Sequence, residues 1–243
     1  MKLFAPVLVM AAMMGIFIDP PIHATGHATG ALGQSPPDTA WSAPLDEANH
    51  MFYSGRYEEA AALALDIRVR DGVNLDASEL RTSALHFRIK RALGEPKDRG
   101  KAWKVCALCQ ELMPVFMDEF ALGRAAARAV VEDDPTDDEA LFFLGKLDLN
   151  YVWLQLATVG RKTGLGEFKE ARRSLETVLE RRPDHIRAQV ALAWIDYIVA
   201  TRLPPGTRWL LGGGNKDRGL RTVEDAAQAD TTRFVRAEAM FAL

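Results

Sequence analysis

The segment EALFFLGKLDLN at residues 139–150 decides the fold, because its pattern returns 48 residues later as RAQVALAWIDYI at residues 187–198. The clearest pairs at this offset are Ala140 with Ala188, Leu144 with Leu192, Gly145 with Ala193, Asp148 with Asp196, Gly166 with Gly214, Ala171 with Gly219 and Leu175 with Val223. A fixed period of this size is typical of a stacked repeat array, in which each unit buries its apolar face against its neighbours. The region from Glu139 to Asp230 is therefore predicted to form two helical hairpins.

Two six-residue segments, GRYEEA at 55–60 and GEFKEA at 166–171, carry glycine, an aromatic residue and alanine at the same positions. Glycine permits the left-handed conformation at a helix end, and alanine lets two helix backbones approach closely. This motif resembles the turn of a tetratricopeptide repeat (TPR), and Pro135 and Pro183, one period apart, stand where such units end. The resemblance covers roughly Leu45–Asp230 and implies an all-α, TPR-like α-solenoid of helical hairpins.

The repeats are longer than those of the family they resemble, with 48 residues in place of 34. The 14 additional residues come close to four α-helical turns, so a longer first helix keeps its packing face in phase. Long first helices are predicted at about Asp138–Arg161 and Ile186–Leu203. The insert is expected to project from one edge and to reshape the peptide groove of the family.

The chain divides into three parts by composition. Residues 1–28 contain Lys2 and then an uncharged apolar run, which predicts either a cleaved secretory signal or an uncleaved membrane anchor. Residues 29–44 are rich in Pro, Gly, Ala, Thr and Ser and are predicted to be a flexible linker. Residues 45–243 form the repeat domain, which ends in a further first helix that is either a terminal cap or the mark of a truncated product. The protein is expected to be exported, in the periplasm or secreted, with any membrane contact made through its amino-terminal segment.

The segment Leu141–Val159 has two alternative interpretations, a β-strand and a membrane span. Lys146, Asp148 and Asn150 argue against the span, because charged residues inside a bilayer are costly. A buried helix fits better, since the matching residues one period later have helical spacing. Asp148, Asn150 and Asp196 are then expected to form a buried hydrogen-bonded network.

Two more helices are predicted before this segment. Asp76–Glu79 has the pattern of a helix cap with its partner glutamate. A second helix is expected to start near Lys101 and to be kinked or split at Pro114.

The chemistry-bearing residues favour a protein without catalytic activity. The net charge of −3 argues against nucleic-acid binding, which normally requires a basic excess. No Ser–His, Cys–His or paired-carboxylate motif occurs at a recognised spacing, and no cofactor or metal site is predicted. The acidic run between Glu132 and Glu139 lacks the spacing of a calcium-binding loop and is predicted to be a solvated helix junction.

Cys106 and Cys109 are the only two cysteines and form a CxxC pair. The favoured interpretation is two small apolar residues on the packed face of a helix. The alternatives are a structural disulfide and, less favoured, a redox-active pair. Gln110 stands where c-type haem attachment requires histidine, so that attachment is excluded.

The inserts carry the residues that are predicted to bind a partner or ligand. A loop containing three consecutive glycines, Gly212–Gly214, is able to hold an anion on backbone amides beside basic side chains. The predicted binding residues are Trp153, Arg161, Lys162, Arg208, Trp209, Asn215 and Lys216. The first functional hypothesis is an exported scaffold that binds another protein in the cell envelope. The alternatives are a periplasmic small-ligand-binding or transporter-accessory protein and a thiol-redox protein.

Overall fold

The computed structural model describes residues 43–160, 163–202, 208, 212–229 and 233–242, and every described element is helical. The ten α-helices are α1 Pro44–Tyr53, α2 Tyr57–Asp71, α3 Leu75–Leu93, α4 Arg99–Val105, α5 Ala107–Asp133, α6 Asp138–Val152, α7 Leu165–Arg181, α8 Ile186–Arg202, α9 Lys216–Gln228 and α10 Arg233–Ala242. A π-helical segment, Trp153–Val159, directly continues α6. The predicted signal or anchor lies outside the described residues, as does the predicted linker up to residue 42.

Neighbouring helices pack in hairpins, as expected for a helical repeat array. The hairpins are α1 with α2, α3 with α5, α6 with α7, and α8 with α9, and α10 follows as a further helix against α9. The all-α prediction is confirmed for the described part of the chain, and the strand interpretation of Leu147–Trp153 is wrong because these residues are helical. Within the described residues, no helix combines the length and the apolar character that a membrane-spanning segment needs.

The first helices of the two 48-residue units are as long as the sequence predicts. α6 and the π-helical segment run without a break over Asp138–Val159, and α8 covers Ile186–Arg202. The π-helical geometry was not predicted. A π-turn holds more residues than an α-turn, so the segment changes the direction in which its side chains point and ends at Gly160, which has a φ of 79°.

The two helices of each unit approach closely at a glycine, which lies on the first helix in one unit and on the second helix in the other. In the first unit Gly145 of α6 faces the carbonyl oxygen of Ala171, and a β-carbon on Gly145 would lie 3.2 Å from it. In the second unit the glycine is Gly219 of α9, where a β-carbon would lie 2.6 Å from the carbonyl oxygen of Ala193. The two units therefore keep the same close backbone approach with the glycine and the alanine exchanged.

Two predicted helix boundaries differ from the structure. α3 is capped by Asn74, whose side chain accepts the Ala77 N–H at 2.9 Å, because Asp76 and Glu79 are used in ion pairs instead. The long helix expected around Pro114 breaks at Cys106, between α4 and α5, and Pro114 lies inside α5. Cys106 has the extended backbone of a helix cap, which ends α4 and starts α5 at the same residue.

The array curls so that its last described helix returns to its first. The first helices of successive layers, α1, α3, α6, α8 and α10, face inward, and α10 contacts α8, α9 and α1. The inner face of the described array is therefore occupied by packed helices. α10, and not the insert, packs against this face, so the predicted reshaping of a peptide groove by the insert stays a prediction.

Candidate functional site

The predicted binding residues lie in different surroundings. Trp153 is half-buried at the start of the π-helical segment and packs against the apolar core of α6, α7 and α8. Asn215 caps α9 by accepting the Arg218 N–H at 2.9 Å, and Lys216, the first residue of that helix, is exposed. Arg208 is half-buried, and its carbonyl oxygen accepts the Gly213 N–H at 2.9 Å.

The structure does not bring these residues into one described site. Arg161, Lys162 and Trp209 lie outside the described residues, so the grouping of basic side chains predicted beside the glycine loop stays a prediction. The described residues also contain no group of three or more His, Cys, Asp or Glu side chains placed to hold a metal ion.

The most extensive uncovered apolar surface lies on α5. Leu108, Val115 and Leu122 recur every seven residues and are 43%, 37% and 54% exposed. Side chains seven residues apart lie on one face of an α-helix. We call these three residues the α5 stripe. The sequence analysis missed it, although the seven-residue spacing is visible in the sequence.

A groove of about 430 Å³ adjoins the carboxyl-terminal half of α5. It is lined by Phe120, Ala121, Arg124, Ala125, Arg128, Ala129 and Glu132. The three alanines recur every four residues, and their small side chains leave space above this face of the helix. Phe120 stacks on Tyr151 with ring centroids 4.8 Å apart, which fixes one wall of the groove. The surface of α5 thus combines exposed apolar side chains with a shallow channel between basic residues.

Behind the groove, a buried ion pair joins α5 to α6. Arg124 Nε lies 2.8 Å from Asp148 Oδ1, and Arg124 also pairs with Glu170 of α7. Arg128 donates to Glu170 at 2.7 Å. The α5 surface therefore rests on charges supplied by three successive helices.

Asp148 is completely buried, and its two carboxylate oxygens have no hydrogen-bond partner in the described protein. Burial raises the pKa of Asp148 to about 7, although Arg124 acts in the opposite direction, and the charge on Glu170 raises it further. The pKa of Glu170 is lowered despite partial burial, because Arg128 and Arg124 hold its charged form. The predicted buried network at Asp148 is thus an ion pair with weak hydrogen bonding.

Asn150 confirms the predicted network more fully. Its side-chain amide donates to Thr82 Oγ1 at 3.0 Å and to Ser83 Oγ at 2.9 Å, and it also reaches Glu79. These partners all lie on α3. The amide therefore ties α6 to the preceding layer of the array, and its role is structural.

A second buried group of charges occupies the inner face. Glu238 of α10 accepts from Lys146 Nζ at 2.5 Å and from Arg187 Nε at 2.7 Å, and both cations lie 3.9 Å from Glu79. We call these four residues the inner charge cluster. Burial alone would raise the pKa of Glu238, but Lys146 and Arg187 lower it to about 2. Glu238 is therefore held in its ionised form and fixes α10 against α6 and α8 through Lys146 and Arg187.

Tyr53 of α1 belongs to the same inner face. Burial raises the pKa of its hydroxyl well above the ordinary value, and the charges of Glu238 and Glu79 raise it further. The first and last described helices therefore meet where the hydroxyl of Tyr53 lies near the charges of the inner charge cluster.

The cysteine pair is oxidised in the structure. Cys106 and Cys109 are joined by a disulfide at the amino terminus of α5. The interpretation of both residues as packed apolar positions holds for Cys109, which is completely buried, but Cys106 is half-buried. The difference arises because Cys106 is the cap residue between α4 and α5 and not a residue of a continuous helix.

Comparisons with protein-family models, with curated proteins and with solved structures find no match to this chain.

Proposed function

We propose that the chain is an exported, non-enzymatic TPR-like scaffold that binds another protein in the cell envelope. The observation that carries the proposal is the α5 stripe. α5 is the longest described helix, and half of the eight most exposed large apolar residues lie on it or one residue before its cap. The three apolar side chains share one helix face with the exposed Glu111 and Asp118, and grouped apolar residues of this kind mark interaction sites more often than single exposed residues do.

The partner surface that fits the stripe is an amphipathic helix. Apolar residues every seven positions match a second helix that crosses at a small angle and inserts its own side chains between them. Arg128 lies six residues after Leu122 on α5 and is half-exposed beside Glu170, so it is able to meet an acidic residue of the partner helix. The expected partner therefore presents a short apolar face with a carboxylate at its rim.

The disulfide supports export. Disulfides form and persist in oxidising compartments and are rare in the cytosol. The apolar amino-terminal run points in the same direction.

The proposal is tested by site-specific photo-cross-linking of the full chain in the native cell envelope. A cross-linking residue is placed at Leu122 or Val115, and a matched control at Val69 of α2, which is 71% exposed but lies away from α5. We expect a discrete heterologous adduct from the two α5 positions and none from Val69. Leu122→Glu should remove the adduct formed at Val115.

Three results would contradict the scaffold proposal. Equal adducts from all three positions would indicate non-specific contact. An adduct that contains only a second copy of the chain would indicate self-association. Thermal stabilisation by small anions without any adduct would favour the ligand-binding alternative.

A further inference from the structure

We propose that Cys106 and Cys109 form a redox-active disulfide that oxidises cysteine pairs in other proteins. This thiol–disulfide exchange is an additional reaction beside the non-enzymatic scaffold function, and of the α5 stripe it uses only Leu108. Four features carry it: the position of the pair at a helix start, the unequal burial of the two cysteines, the bracing of the surrounding backbone, and an exposed apolar rim.

The first feature is the position of Cys106 as the cap residue of α5. Its sulfur accepts the backbone N–H of Cys109 at 3.2 Å, and α5 continues for 27 residues beyond it. The amino terminus of a helix stabilises negative charge, and it lowers the pKa of a cysteine thiol placed there. Reduction of the disulfide would therefore release a stabilised thiolate at Cys106, which favours the transfer of oxidising equivalents to a client.

The second feature is that the two cysteines are buried to different degrees. Cys106 is half-buried, whereas Cys109 is 0% exposed and its sulfur lies 3.9 Å from the Ile89 carbonyl oxygen. An incoming thiolate is therefore directed to Cys106. Cys109 becomes the leaving group.

The third feature is that the backbone corner between α4 and α5 is held by contacts other than the disulfide. Gln110 Nε2 donates to the Trp103 carbonyl oxygen at 2.9 Å, and the Cys106 N–H is bonded to the Ala102 carbonyl oxygen at 3.1 Å. Trp103 itself is buried in the core. These contacts hold α4 against α5, so the bond between the sulfur atoms can open and close while the corner stays folded.

The fourth feature points to a protein client. Val105 is 83% exposed directly before Cys106, and Leu108, which also begins the α5 stripe, is 43% exposed two residues after it. This rim favours a cysteine flanked by apolar side chains over a small hydrophilic thiol. The client is therefore expected to be an unfolded or extended protein segment that carries two cysteines.

The reaction balances as two thiol–disulfide exchanges. A client thiolate attacks Cys106 Sγ, the bond between Cys106 and Cys109 breaks, and Cys109 leaves as a thiolate that takes up a proton. The second client thiol loses its proton and attacks the client sulfur of the mixed disulfide, which releases Cys106 as a thiolate. The client loses two electrons and two protons and forms a disulfide, and this chain is reduced to the dithiol.

The first experiment traps the mixed disulfide with the full chain. The single variants Cys109→Ser and Cys106→Ser are mixed with a peptide disulfide that carries apolar flanking residues, and adducts are measured by mass. We expect Cys109→Ser to form the adduct through Cys106 at least about tenfold faster than Cys106→Ser forms one through the buried Cys109. Circular dichroism of both variants verifies that they fold alike.

The second experiment measures the rate at which one equivalent of the unmodified oxidised chain oxidises a client peptide. A reduced two-cysteine peptide with apolar flanks should be oxidised about tenfold faster than by oxidised glutathione at equal concentration and pH 7. Val105→Ser should slow the peptide reaction but not the reaction with reduced glutathione. Val73→Ser, at a 69% exposed valine in the turn before α3, is the matched control and should change neither rate.

A purely structural disulfide predicts different results. In that case both serine variants react equally slowly, and the alkylation of Cys106 in Cys109→Ser follows the pKa of an ordinary cysteine, about 8.5. Either result would overturn the proposal while leaving the α5 cross-linking result unaffected.

Discussion

The guanidinium of Arg172 lies 2.9 Å from the carboxylate of Asp196, and each residue stands 48 positions after a member of the Arg124–Asp148 pair. The surrounding charges follow the same period with their signs exchanged. Glu170, beside Arg124, is replaced by Arg218 beside Asp196, and Arg128 is replaced by Glu176 beside Arg172. An arginine on the second helix of one unit thus pairs with an aspartate on the first helix of the next. The repeat is therefore a repeat of ion pairs as well as of apolar columns.

The two aspartates are expected to respond differently when their charge is removed. Asp196 accepts from Arg172 at 2.9 Å and from Arg218 at 2.7 Å, so Asp196→Asn should lower the free energy of unfolding by about 1–3 kcal/mol. Asp148 has no such hydrogen bonds and faces Arg124 alone at 2.8 Å, so Asp148→Asn removes a buried carboxylate whose charge is only partly compensated. We expect Asp148→Asn to stabilise the fold by about 1–2 kcal/mol at pH 8, measured by urea unfolding.

The pH dependence separates this explanation from a general packing effect. The pKa of Asp148 is raised from 3.8 to about 7, so the folded state holds a proton that the unfolded state releases between these values. Its contribution to stability is present below pH 4 and is lost as the pH rises towards 7. The advantage of Asp148→Asn over the unmodified protein should therefore grow from pH 4 to pH 8, and a constant difference would contradict the assignment.

Gly214 and Gly166 are equivalent by sequence but should tolerate alanine unequally. A β-carbon on Gly214 would lie 2.7 Å from the Asp196 carbonyl oxygen and 2.8 Å from the Ala200 nitrogen, whereas one on Gly166 meets no atom within 4 Å. Gly214→Ala should lower the melting temperature through a backbone clash that costs about 1–3 kcal/mol. Gly166→Ala, inside α7, should leave the melting temperature unchanged or raise it. Equal effects in thermal unfolding would rule out the close backbone approach at Gly214.

Glu238 is expected to anchor α10. Glu238→Gln leaves Lys146 and Arg187 without their closest carboxylate in a buried site, which should cost about 3–5 kcal/mol. Hydrogen exchange in α10 should accelerate more than exchange in α3. Met240→Gln, on the same helix but 65% exposed, is the matched control and should have little effect. Unchanged protection of α10 in Glu238→Gln would show that apolar packing alone holds this helix.

His86 should make the fold sensitive to moderate acid. Its ring bonds Thr158 Oγ1 at 2.9 Å, and burial, with Lys90 nearby, lowers its pKa to about 3. The unfolded state takes up a proton below about pH 6.5 and the folded state does not, so stability falls as the pH drops. His86→Gln should remove about 1.4 kcal/mol of this loss per pH unit between pH 6 and pH 4.

Thr158→Ala serves as the control for His86. It breaks the hydrogen bond to the π-helical segment but keeps the histidine, so the dependence on pH should remain. If the two variants show the same pH profile in urea unfolding, the loss of stability in acid does not come from the imidazole.

The fold was predictable from the sequence because the residues that define it are local or periodic. The alanine, glycine and aspartate columns at a 48-residue offset predict the hairpins and the long first helices, since each column needs only a helix and a neighbour. The change of sign from Arg128 to Glu176 and from Glu170 to Arg218 follows the same 48-residue period and is also visible in the sequence. It was missed because a change of sign does not resemble conservation of a position.

The features that escaped prediction depend on tertiary contacts. The break at Cys106 follows from the packing of Trp103 and the hydrogen bond of Gln110, neither of which is implied by the local pattern around Pro114. The filled inner face depends on α10 reaching Lys146 and Arg187, which are distant in sequence. The α5 stripe was not predicted because apolar residues at seven-residue spacing are usually buried in a helical array, and only the packing of α5 leaves them exposed.

The contact between α10 and α1 changes how the array is expected to lose its structure. An open solenoid behaves almost as a one-dimensional system, in which terminal units fray independently and stability adds up between nearest neighbours. Here the two ends share a boundary, so the loosening of either one exposes the other. Unfolding of the described array should therefore be cooperative across all layers. A partner that binds one layer should raise the free energy of unfolding of the other layers as well.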